Sequence, residues 1–80
     1  MDAIFGRHAR ARMAVRRITT EMVAAVLAAP RRVEPSRGET VRYYGAADGR
    51  DIIVVVAHDH EPPFVITVMN DRPGGTGGRA

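Results

Sequence analysis

Apolar residues recur every three or four positions early in the chain and at alternate positions later. Residues 5–17 read as a first helix, with Ile4, Ala11, Val15 and Ile18 forming one stripe toward the core. His8, Arg12 and Arg16 then run along one border of that stripe, and Arg10 and Arg17 along the other. Thr19 caps a second helix running through Ala28, Glu21 suits its positive end, and Pro30 closes it. Strands are expected at Arg31–Pro35, Val41–Gly45, Ile52–Ala57 and Phe64–Met69, joined as a four-stranded antiparallel meander.

A loop at residues 46–49 pairs Tyr44 with Asp51 and Val41 with Val54. One sheet face is then Val41, Tyr43, Ile52, Val54 and Val56, joined by Phe64, Ile66 and Val68, and it carries the two helices. The other face shows Arg42, Tyr44, Ile53, Val55, Val65, Thr67 and Met69. It is too apolar for plain solvent surface, so a ligand, a second copy or a partner's helix is expected over it. Residues 72–80 are glycine-rich and expected to be a flexible tail behind a single domain at 1–71. The expected class is therefore α+β, with two N-terminal helices packed on an antiparallel sheet.

Charge sharpens the picture at the N-terminal end. All twelve basic side chains are arginine, and Arg7, Arg10, Arg12, Arg16 and Arg17 crowd together with His8. Residues 1–32 hold seven arginines against Asp2 and Glu21, a net of +5, and residues 33–80 hold five against seven acids, a net of −2. Guanidinium groups fork onto phosphate and stay charged at biological pH, so this end reads as a phosphate-facing surface, an acidic-partner surface or a solvated helix face. The chain has no cysteine, which removes disulfides and thiolate metal sites. His58, Asp59, His60 and Glu61 read as a polar turn, so no metal or other cofactor is expected. No signal-peptide pattern and no long apolar run is evident, so a cytoplasmic protein without membrane contact is expected, with export as part of a larger toxin left open.

The run H-A-R-A-R-M-A-V-R-R-I-T-T-E from His8, then Pro30, a tyrosine strand, Arg50 before I-I-V-V-V, and a closing V-I-T-V-M, resembles a bacterial family called domain of unknown function 4258. The likeness spans about residues 4–69 and rests on the order and spacing of His8, Arg12, Arg17, Pro30, Arg50 and Thr67. That family is remotely similar to the RelE and barnase-type ribonuclease toxins, which implies a RelE-like fold and a small toxin acting on RNA. Such a toxin implies RNA as partner, tRNA or mRNA, together with an antitoxin or immunity protein, and a homodimer is a further possible assembly.

Metal-free RNA cleavage needs a group to take the 2′-hydroxyl proton, a donor for the leaving oxygen, and positive charge where the phosphorane forms. His8, Arg12 and Arg50 are the catalytic candidates, and Arg16, Arg17, Arg42, Tyr44 and Thr67 the RNA-binding ones. The alternative is a non-catalytic module that binds nucleic acid or protein. Geometry poses a question to both readings, because the first helix lies on one sheet face while Arg42, Tyr44 and Thr67 point from the other.

Overall fold

The computed structural model describes residues 3–71, and the expected tail lies outside the described residues. The elements are β1 (Ile4–Phe5), α1 (Arg7–Arg16), α2 (Thr20–Ala28), β2 (Arg32–Ser36), β3 (Thr40–Ala47), β4 (Arg50–Ala57) and β5 (Phe64–Asn70). They build one sheet in the order β1-β5-β4-β3-β2, with both helices contributing to a common core on one of its faces. The α+β class and the two helices agree with the sequence pattern, but the sheet is five-stranded and mixed. The added strand, β1, pairs parallel to β5 through Ile4↔Phe64 and Phe5↔Val65. Two residues are too few to register as periodicity.

The β3–β4 hairpin turns on Asp48 and Gly49 alone, both with positive φ, so Ala47 pairs with Arg50. Asp-Gly is the pair that a two-residue turn of matching twist prefers. The expected four-residue loop therefore gives way to a register shifted by two, with Tyr44 opposite Ile53 and Val41 opposite Val56. A shift of two preserves facing, so Val54 and Ile52 are buried as the alternation requires.

Strand β5 breaks its alternation. Val54 pairs with Val68 and Val55 with Thr67, but Val56 pairs with Val65, leaving an extra residue on β5. Because of this bulge Val65 and Val68 both turn into the core and are fully buried. Phe64 and Ile66, expected in the core, are only half-buried, and Val65 leaves the face to which simple alternation assigned it.

Helix α1 lies nearly opposite to its expected orientation. Ala9 and Met13 are buried, Ala11 is exposed, and Val15 is 73% exposed. The Gly6 N–H bonds the Val65 carbonyl, so β1 sets where the helix starts and hence which residues turn toward β5. Three alanines in ten residues make opposite sides of α1 nearly equal in apolarity, so the sequence stripe had little power to choose. The helix ends at Arg17, left-handed at φ 57°, where the Ile18 N–H reaches the Met13 carbonyl at 2.9 Å. Thr19 then caps α2, its Oγ1 accepting from the Met22 N–H at 3.1 Å. Helix α2 lies on β3 and β4, where Gly45 leaves room for Val26: a Cβ at position 45 would approach Val26 Cγ1 to 3.2 Å.

Candidate functional site

The candidate residues fall into three places. The first is the exposed part of α1. His8 and Arg12 lie one helical turn apart, and the Arg12 Nε–H points to His8 Nε2 at 3.4 Å, with both side chains open to solvent. Helix α1 starts at Gly6 with no side-chain cap and no acid in its first turn. Its unpaired N–H groups therefore combine with Arg7 and His8 in an electropositive end. Arg10 leaves this group: its Nε–H reaches the Phe5 carbonyl at 3.4 Å, and it borders a hollow with Phe5, Met13 and Thr20, on the α2 side of the helix.

The second place is the other end of α1. Arg50, at the start of β4, donates from Nη1 to the Arg17 carbonyl and from Nη2 to the Arg16 carbonyl and Asn70 Oδ1, each at 2.7 Å. A guanidinium thus closes the negative end of the helix and ties it to the far ends of β4 and β5. The Arg16 carbonyl that Arg50 meets lies eight residues beyond His8, about 12 Å along the helix axis. Arg50 thus sits at the opposite end of α1 from His8, its guanidinium committed to backbone carbonyls and Asn70, while His8 and Arg12 stand together. Arg16 is half-buried, with its Nε enclosed and unpartnered, while the Arg17 side chain is exposed.

The third place is the sheet face away from the helices, where register aligns two rows across four strands. One is Glu34, Arg42, Val55 and Thr67, and the other is Arg32, Tyr44, Ile53 and Met69. The Tyr44 hydroxyl donates to Glu34 Oε1 at 3.0 Å and accepts from Arg42 Nη1 at 3.4 Å. Arg32 lies 4.1 Å from the Tyr44 ring centre and pairs with Glu34 at 3.3 Å. The Arg42 pKa is raised above its ordinary value, first by the hydrogen bond with Tyr44 and then by charge interaction with Tyr44 and Glu34. Sequence reasoning named Arg42, Tyr44 and Thr67 but missed Arg32 and Glu34. The alternation in R-V-E-P-S carried that signal, since it puts both on the Tyr44 side.

Among the described residues no three His, Asp or Glu side chains gather closely enough to hold a metal, and no helix is long and apolar enough to cross a membrane. In the 58–61 turn His58 faces Asp59 at 3.3 Å, and His60 Nδ1 lies 2.7 Å from the Pro62 carbonyl.

Fold and surface together define a small α+β domain with an arginine-bordered helix laid on a mixed sheet. Residues 5–70 match the family model of a domain of unknown function (DUF4258), and the chain belongs to that family. No curated protein and no solved structure matches it.

Proposed function

We propose that this chain is a RelE-like toxin domain that binds RNA through the exposed, arginine-bordered part of α1 and cleaves it without a metal. The observation that carries this reading is the His8–Arg12 pair, 3.4 Å apart on an open helix surface beside the uncapped N-terminus. A phosphate forked by Arg12 lies next to the imidazole, and the electropositive helix end draws the backbone toward it. His8 takes the 2′-hydroxyl proton, the 2′-oxygen attacks the adjacent phosphorus, and the bond to the 5′-oxygen breaks. The products are a 2′,3′-cyclic phosphate and a 5′-hydroxyl, the departing oxygen receiving its proton from the imidazolium or water. Arg12 offsets the charge gathering on the phosphorane. Arg7 and Arg17 extend the phosphate contacts along the helix.

A second reading, binding without cleavage, draws on the commitment of Arg50 to backbone carbonyls, which engages one of the three catalytic candidates in holding the fold. Incubating wild type and His8→Ala with total RNA and tRNA in EDTA, then mapping the ends, separates the two. Cyclic-phosphate ends lost in the variant support cleavage centred on His8. Intact RNA with both proteins, bound with an affinity that falls steeply with salt, supports the binding module.

A further inference from the structure

The helix layer covers only part of its sheet face. Helix α2 sits against β3 near Gly45, while the opposite end of the β3–β4 pair, with Val41, Tyr43 and Val56, is left beneath a hollow of about 460 Å3. A second hollow of about 350 Å3 adjoins it and shares Val41 and His58. Val33 and Pro35, opposite Tyr43 and Val41 in the register, extend the apolar floor to the β2 edge. This is a groove where another helix would complete the layer. Its border carries exposed Glu39, Asp59 and Glu61 with His58 and His60 among them, His58 facing Asp59 at 3.3 Å, and is net acidic when the imidazoles are neutral. That border disfavours a nucleic-acid strand and favours an apolar helix flanked by arginines.

The molecule carries such a helix itself. The outer ridge of α1 is Ala11, Ala14 and Val15, with Val15 the most exposed of the large apolar residues among those described; Arg7 and His8 continue it toward the helix start and Arg12 borders it. Ridge and groove lie on the same side of the sheet, α1 above β5 and the groove above β3 and β4. A two-fold axis between them therefore lets each α1 lie in the groove of the other copy, making two equivalent contacts at once.

We propose that the chain forms a symmetric dimer in which the Ala11–Ala14–Val15 ridge of each copy docks in the Val33–Val41–Tyr43–Val56 groove of the other, with arginines meeting the acidic border. The pairing joins charge complementarity to the burial of Val15 and Val33, 73% and 48% exposed in a single copy. It does not rest on the RNA reading, but it uses the same side of α1, with Arg12 beside His8, so a dimer of this form and bound RNA exclude one another there.

The test is sedimentation equilibrium of the full chain over a dilution series, with circular dichroism to verify folding. Wild type is expected at twice 8.7 kDa, with a dissociation constant rising at least tenfold in high salt. Val15→Glu and Val33→Glu, both at exposed positions, are each expected to stay folded and sediment at 8.7 kDa. Ile4→Glu, at an exposed position outside ridge and groove, is expected to remain dimeric. A wild type that is monomeric throughout overturns the proposal. So does a dimer unaffected by both valine substitutions, or one abolished only by the change at Ile4.

Discussion

Substituting Arg50 separates a structural from a chemical role. Its guanidinium makes three 2.7 Å hydrogen bonds, two of them to the last carbonyls of α1. A hydrogen bond to a charged group contributes about 1.5–3 kcal/mol net, but the three share one guanidinium and the freed carbonyls regain water in the variant. The bond to Arg17 is exposed and the others part-buried. Arg50→Ala is therefore expected to cost about 2–3 kcal/mol, far below the additive sum. For a domain of this size each kcal/mol lowers Tm by roughly 4–8 °C, so thermal unfolding followed by circular dichroism should show a fall of roughly 10–20 °C. Arg50→Lys keeps a charge but not the planar fork, and is expected to lose about half as much. RNA cleavage is measured in parallel at a temperature where each variant is folded. A stability change under about 0.5 kcal/mol refutes the capping argument. If cleavage then disappears as well, Arg50 belongs with the chemistry despite its distance from His8.

Other expectations follow from single positions. Arg17 holds a left-handed conformation that glycine adopts at no cost, so Arg17→Gly should stabilise the fold by about 0.5–1 kcal/mol in denaturant unfolding while weakening RNA binding in a filter assay. Thr19→Ala removes the cap of α2 and should cost about 1 kcal/mol by the same unfolding measurement. Val65→Ala, at a fully buried site, should cost about 2 kcal/mol, whereas Val15→Ala should change monomer stability by less than about 0.5 kcal/mol, the reverse of what the sequence stripe implies. Gly45→Val should cost about 1–3 kcal/mol, and adding Val26→Ala should recover part of it, since the two side chains compete for one space.

Much of the local structure was legible in the residues. Alternation in I-I-V-V-V and the tyrosine strand identified the central strands and their core side, and Thr19 with Pro30 bounded α2. The H-x-x-x-R spacing placed His8 beside Arg12, because one turn of helix suffices to join them. These are local consequences of backbone geometry, and each depends on only a few neighbouring residues.

Tertiary contact decided the rest. Two residues of β1 have no pattern of their own and become a strand only because the edge of β5 offers them partners. Anchoring at Gly6 then set the rotation of α1, and a bulge in β5 exchanged the facing of Val65 for that of Ile66. Arg50 met the end of α1 across more than thirty positions of sequence, a juxtaposition that no spacing rule contains. The sequence by itself determined the α+β class, the central strands and the concentration of arginine around His8, since each is written in neighbouring side chains. Which side of α1 is buried, which arginines are tied to the fold and which stay exposed, and where the helix layer stays open depend on groups brought together only when the chain closes on itself.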